Sequence, residues 1–146
     1  ESPDNPFVIL SRLIPALKET GGRIELMNAA EITAGIDEIT TRFVTPLVDG
    51  RQTLVDQLGL RAGADLLVTA ATGERLLNRS WSAAADGHLV EARSSFREAA
   101  QAFDEAAAMV PASTSSLLVG CVLTHHVTCK TLMVRRDAPY ANIDLQ

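Results

Sequence analysis

A row of potential metal ligands occurs late in the chain, where Cys121, His125, Cys129 and Met133 follow one another at intervals of four residues. Residues four apart share a helix face, and sulfur and imidazole groups bind copper(I), zinc or haem iron. Such a row drifts by about 40° per step around a helix, so one helix presents only two or three of these groups to one ion. Two interpretations stay open: a soft-metal or haem site that uses Cys121, His125 and Cys129, or side chains of a packed core.

The rest of the sequence contains no recognisable catalytic arrangement. It has no GxSxG nucleophile elbow and no CxxC or HExxH spacing. His125 and His126 are adjacent, so about 100° separates them on a helix and only one can face inward. Most acidic residues of segment 86–111 occupy one polar helix face, which is typical of a solvated surface. We therefore predict a protein that is not an enzyme and that needs no cofactor.

Composition narrows the class of protein. The chain has 146 residues and a net charge of −5, and its acidic and basic residues are interspersed. This length fits one domain. No basic patch is available to attract nucleic acid, so we predict that the protein has no nucleic-acid partner. The longest apolar stretch, Leu117–Val134, is interrupted by polar residues, so we predict a buried helix there and no membrane span.

Helical periodicity runs through most of the chain, and no segment alternates as a half-buried strand would. We expect helices at 6–20, 23–49, 51–84, 86–111 and 114–135. Pro15 should kink or break the first helix, and Gly21-Gly22 should end it in a left-handed conformation. Pro46 should bend or stop the second helix, and Gly73 should interrupt the third. Asp86 should cap the start of the fourth helix, and Pro111 should close its end.

These elements predict an all-α bundle of four to five mostly antiparallel helices with a kinked first helix. Residues 1–135 should form one domain, and 136–146 an irregular tail. Apolar residues make up 47% of the chain but aromatic residues only 4%. The helices should therefore either approach one another closely or leave a gap that something else fills.

The apolar residues from Leu89 to Val110 form one stripe along the fourth predicted helix. This stripe illustrates the two alternatives of close helix packing and a gap filled by a ligand. Phe96 and Phe103 lie among alanines spaced seven residues apart, so they could plug a dry core or line a binding site. By size and inward phase we predict four residues as the lining of an apolar ligand site: Phe43, Leu67, Phe96 and Phe103.

Two segments carry a resemblance to a known family. Gly21-Gly22 followed by RIELMNAAEITAGIDEITTRFV, and the later FREAAQAFDEAAAMVPAS, resemble fungal hydrophobic-surface-binding proteins, which belong with the cell-wall galactomannoproteins. The similarity spans about residues 8 to 135, and Cys121, the two adjacent histidines and Cys129 depart from it. It implies a secreted, all-helical protein without catalytic motifs that adsorbs to hydrophobic surfaces or holds fatty acids between its helices.

We therefore predict a secreted, extracellular, non-enzymatic protein whose interhelical core binds an apolar small molecule, such as a fatty acid or other lipid, or a hydrophobic surface. A start at Glu1 suits removal of a signal peptide and suits a trimmed chain equally well. One alternative is a structural or interaction bundle whose apolar stripes form only a core, or a face that pairs two copies in a homodimer. The other is the soft-metal or haem protein described above.

Overall fold

The computed structural model describes residues 4–112, and every regular element among them is helical. The elements are α1 (Pro6–Arg23), a 3₁₀ turn (Ile24–Leu26), α2 (Ala29–Ile39), a π turn (Thr40–Val44), α3 (Thr45–Asp49), α4 (Arg51–Leu58), α5 (Leu60–Ala85) and α6 (Leu89–Ala108). The π turn joins α2 and α3 into one continuous rod. The described residues therefore form five helical rods, namely α1, α2 with α3, α4, α5 and α6. The predicted all-α bundle is confirmed. The predicted helix at 114–135, the candidate ligands Cys121, His125 and Cys129, and the tail at 136–146 lie outside the described residues.

Among the described helices, α5 and α6 form the most extensive pair. The Ser80 hydroxyl donates a 2.7 Å hydrogen bond to the Ala92 carbonyl near the turn between them. Toward the far end, the Thr69 hydroxyl lies 3.9 Å from the Met109 sulfur. The later residue of α5 thus contacts the earlier residue of α6, and the earlier residue of α5 contacts the later one. The two helices are therefore antiparallel.

The buried stripe of α6 alternates alanine and phenylalanine at spacings of three and four residues. Its members have no exposed surface: Ala92, Phe96, Ala99, Phe103 and Ala106. The Phe103 ring covers Gly73 of α5 so closely that a Cβ added to this glycine would lie 2.6 Å from Phe103 Cε2. The predicted interruption at Gly73 is wrong, because this glycine makes room for a ring inside a continuous helix.

The first turn of the bundle lies later than we predicted. Gly21 and Gly22 belong to α1, which ends at Arg23, and neither has a positive φ. The turn is stabilised by a capping box instead: Asn28 Oδ1 accepts from the Glu31 backbone N–H at 2.9 Å, and Glu31 Oε2 accepts from the Asn28 N–H at 2.8 Å. These reciprocal bonds satisfy two of the unpaired donors at the start of α2.

Two other helix boundaries also differ from the prediction. The third predicted helix is divided at Gly59, whose φ of 84° lies in the left-handed region that glycine adopts without a steric penalty. Asp86 does not cap α6, since it follows the end of α5 and His88 occupies the N-cap position without a side-chain hydrogen bond. Pro15 does not break α1. It lies on the exposed side, where water can hydrate the carbonyl that loses its partner.

Candidate functional site

The candidate site begins with a backbone irregularity in front of Pro46. Proline cannot donate a backbone hydrogen bond, and its ring crowds the carbonyl four residues earlier, which belongs to Arg42. The chain accommodates this with the π turn, in which the Thr45 N–H bonds to the Thr40 carbonyl. We predicted that Pro46 bends or stops the helix. The helix does not stop there, because the chain accommodates the proline with this widened turn and stays helical to Asp49. Single π turns inside α-helices occur often at functional sites.

The π turn widens the rod where it faces α1, and a groove runs along this side of the bundle. It has a volume of about 420 Å³. Its small and apolar lining residues are Ala16, Thr20, Met27, Ala34, Gly35, Ile39 and Phe43. Its charged lining residues are Glu19, Arg23, Glu31, Glu38 and Arg42.

A second groove of about 450 Å³ adjoins the first, toward the start of α1. The two share Arg42 and Phe43, and the second adds Ile9, Arg12 and Pro46, together with Asp4. We call the two together the α1–α2 groove. Each part lies within the range of about 300–1,000 Å³ that is typical of small-molecule sites.

The charged groups along the α1–α2 groove mostly pair with one another. Arg42 Nη1 lies 3.1 Å from Glu38 Oε1, and Arg23 Nη2 lies 3.8 Å from Glu19 Oε1. The Arg42 guanidinium also stands over the Phe43 ring, with its carbon 5.5 Å from the ring centroid. These side chains are largely exposed, so the small and apolar lining residues are bordered by a hydrated rim that carries both positive and negative charges.

One end of the groove is held in place by Arg93 of α6. Its Nε donates to the Ile24 carbonyl at 3.1 Å and its Nη2 to the Met27 carbonyl at 3.4 Å. Glu25 forms ion pairs with both Arg93 and Arg97. Because Met27 lines the groove, these bonds tie one groove wall to the core helix α6. Part of the Arg93 side chain is buried, with 21% exposed.

The structure separates the four residues that we predicted as the ligand lining. Phe43 is half-buried and lies at the junction of the two parts of the groove. Leu67 is half-buried and packs against the core. Phe96 and Phe103 are fully buried in that core. Only Phe43 lines the α1–α2 groove, and the assignment of a ligand to any of the four stays a prediction.

Comparison with known proteins adds no functional assignment. No family model, curated protein or solved structure matches the chain. The resemblance to the fungal hydrophobic-surface-binding proteins therefore stays a prediction, and the geometry of the described residues has to carry any functional argument.

Within residues 4–112, no three His, Cys, Asp or Glu side chains are grouped so that they could hold a metal ion. No helix in the same range is both long and apolar enough to cross a membrane.

Sequence reasoning missed most of the groove-lining residues. Ala16, Thr20 and Gly35 gave no signal, because small residues on an amphipathic helix are equally compatible with close packing. Pro46 was the one available signal. A proline inside an otherwise continuous helical pattern requires a local adjustment of the preceding turn, and that turn contains Arg42 and Phe43.

Proposed function

We propose that the protein is a secreted, non-enzymatic binding protein whose α1–α2 groove takes an amphiphile with an apolar chain, such as a fatty acid. One observation carries the proposal: two adjoining grooves meet at the half-buried ring of Phe43, inside a π turn. The extracellular location rests on the sequence resemblance alone.

The groove lining supports an amphiphilic ligand rather than a fully apolar one. An apolar chain lying on Ala16, Ile39 and Phe43 would lose contact with water, which is worth up to about 0.8 kcal/mol per buried methylene. The open side of the groove lowers that gain. The rim offers the guanidinium group of Arg12 to a polar or anionic end of the ligand, whereas that of Arg42 is already paired with Glu38.

The core between α5 and α6 is a less favourable position for a ligand. Phe103 fills the space over Gly73, and Phe96 lies 3.6 Å from where a Cβ would stand on Gly21. A ligand could enter only if these helices separated and gave up close packing. The groove needs no such rearrangement, because it is already open to solvent along one side.

The main alternative is an interaction bundle without a small-molecule ligand. A groove with alanine and glycine on its floor also allows a helix of another protein to approach closely. The metal or haem alternative rests on Cys121, His125 and Cys129, which lie outside the described residues. Mass spectrometry of gently purified protein distinguishes the three, by a co-purifying lipid, a co-purifying polypeptide, or bound copper, zinc or haem.

A matched pair of tryptophan variants tests the groove directly. Ala34 is exposed and lines the groove, whereas Ala30 is exposed on the same helix but does not line it. With a fluorescent fatty acid as probe, we expect Ala34→Trp to weaken binding about tenfold or more, which corresponds to about 1.4 kcal/mol. Ala30→Trp should bind like the unmodified protein. Equal binding by both variants, or no saturable binding by the unmodified protein, would overturn the proposal.

A further inference from the structure

The residues of α1 that line the α1–α2 groove form one row along the helix. At spacings of three and four, the row consists of Ile9, Arg12, Ala16, Thr20 and Arg23. Its first two members line the second part of the groove, and its last three line the first part. From Arg12 to Arg23 the row is about 16 Å long at 1.5 Å per residue. A chain-shaped ligand that lies along this row has one end in each part of the groove.

The first part of the groove is unfavourable for an anionic group. Its lining has three carboxylates, those of Glu19, Glu31 and Glu38, and two guanidinium groups, those of Arg23 and Arg42. Both guanidinium groups are already paired, one with Glu19 and the other with Glu38. The third carboxylate accepts a hydrogen bond from a neutral backbone N–H at the start of α2. An anionic head would therefore meet an excess of negative charge and be repelled.

The second part has a different charge balance, because Arg12 lines it. Its other charged lining residues are Asp4 and Arg42, and Arg42 is paired with Glu38. Arg12 is exposed, and its guanidinium group forms no ion pair with any of residues 4–112. Among the cationic residues that line the two parts, this holds for Arg12 alone within the described range. A guanidinium group presents a planar fork of N–H donors that fits a carboxylate, so Arg12 can receive an anionic head.

We propose that the α1–α2 groove selects single-chain amphiphiles with an anionic head and binds them in one direction. The head lies at Arg12, and the chain runs past Phe43 toward Arg23. The inference rests on the proposed function, since it assigns a charge and a direction to the ligand of the same groove. Ala16 follows Arg12 by one helical turn, so the methylenes nearest the head lie on Ala16 and Phe43 and lose contact with water.

Three ligands that share one chain and differ in the charge of the head test the selectivity. Calorimetric titration of the full chain, below the concentration at which the ligands form micelles, measures their affinities. At low ionic strength we expect decanoate to bind about twofold to fivefold more tightly than decanol, a range typical of exposed ion pairs. Decyltrimethylammonium should bind more weakly than decanol. High salt should reduce both differences, because it screens exposed charges.

A matched pair of arginine variants assigns this selectivity to one side chain. Arg12→Met removes the guanidinium group from the groove, and Arg61→Met removes one from an exposed position of α5 that lines neither part. Both variants keep an apolar stem and lose the same charge. Only Arg12→Met should abolish the preference for decanoate, and its affinity for decanol should stay unchanged. Arg12→Lys should restore most of the preference, and Arg12→Glu should reverse it in favour of decyltrimethylammonium.

The direction of the ligand is measured separately, by NMR with spin-labelled stearate. A nitroxide next to the carboxylate should broaden the backbone amide signals around Arg12. A nitroxide near the end of the chain should instead broaden those around Met27, which lines the first part of the groove. Each label thus reports one end of the bound ligand.

The possible failures separate this inference from the proposed function. Equal affinities for decanoate and decanol, a preference that survives Arg12→Met, or the opposite order of broadening by the two nitroxides would overturn the inference. The groove would then still be a binding site for amphiphiles. If none of the three ligands binds saturably, the proposed function is wrong and the inference falls with it.

Discussion

Two helix pairs of this bundle differ in how closely they pack. Helices α5 and α6 form a closed core, whereas α1 and α2 leave an open groove between them. Along α5 and α6, a phenylalanine of one helix fills the space over a glycine of the other, and Phe103 is fully buried against Gly73. Along α1 and α2, a Cβ added to Gly35 would meet only methyl groups of Met27 and Thr20, at 3.6 and 3.7 Å, and Phe43 stays half-buried. Similar residue types thus produce a closed core in one pair and an open groove in the other.

The difference comes from where the large side chains lie relative to the small ones. In α6, phenylalanines alternate with alanines at spacings of three and four, and the Phe103 ring fills the gap over Gly73 of the facing helix. In the other pair, small residues occur on both walls, and Phe43 lies at the junction of the two parts of the groove, inside the π turn. Small residues facing small residues leave a space, and this is the physical origin of the α1–α2 groove.

The largest effect should come from truncating the core ring. We expect Phe103→Ala to lower the free energy of unfolding by about 3–5 kcal/mol, because it removes a buried ring and leaves a cavity. Phe43→Ala should cost about 1 kcal/mol, since that ring already has an exposed side. Denaturant unfolding of both variants measures the comparison. Equal losses would mean that Phe43 belongs to the core.

A smaller destabilisation is expected from filling the gap under that ring. Gly73→Ala should cost about 1–3 kcal/mol, because the new methyl group would overlap a fully buried ring. Gly22→Ala is the matched control, since nothing lies within 4 Å of a Cβ at that position. There the higher helix propensity of alanine should stabilise the protein by about 0.5–1 kcal/mol. A stabilising Gly73→Ala would contradict the close packing of α5 and α6.

Removing the Arg93 side chain, which links the groove wall to α6, should lower the free energy of unfolding by a similar or slightly smaller amount. Arg93→Met keeps an apolar stem but removes the hydrogen bonds to the Ile24 and Met27 carbonyls, and should cost about 1–2 kcal/mol. Arg97→Met, which loses only an exposed ion pair with Glu25, should cost about 0.5 kcal/mol or less. Thermal unfolding checks both values. Hydrogen exchange of the Ile24–Leu26 turn should accelerate for Arg93→Met alone.

The smallest expected effects come from Gly35→Ala, which should raise the stability of the protein but weaken ligand binding. An added methyl group at Gly35 meets its neighbours at ordinary contact distance, so Gly35→Ala should stabilise α2 by about 0.5–1 kcal/mol. The same methyl group narrows the groove, and we expect binding of a fluorescent fatty acid to weaken about twofold to fivefold, or about 0.4–1 kcal/mol. Calorimetry and fluorescence titration measure the two quantities. A gain in both would place the ligand elsewhere.

Much of the fold could be predicted from the sequence, because the buried stripes have a strong helical period. Phe7, Leu10, Leu13 and Leu17 of α1 are buried as their spacing predicts. The boundaries were harder, since a glycine such as Gly73 or Gly21 can end a helix or can make room inside one. The Asn28-to-Glu31 capping box was a readable signal that we missed, and it marks the true start of α2.

The groove was less predictable than the fold, for a physical reason. Periodicity reports which side of a helix is buried, but it does not report how closely two buried sides approach. Whether Phe43 and Phe103 differ in burial depends on the residues across from them, and those are known only once the helices are paired. Nothing in the spacing of Phe43 distinguished it from the core phenylalanines.

The central claim is that a ligand meets Phe43 and leaves the core phenylalanines undisturbed. The chain has only four phenylalanines, so fluorine NMR of protein labelled with fluorophenylalanine resolves each ring. On titration with a fatty acid, we predict that the Phe43 signal shifts and saturates while the Phe96 and Phe103 signals stay in place. A shift of Phe96 and Phe103 without a change at Phe43 would show that the ligand separates the core helices, and would contradict this account.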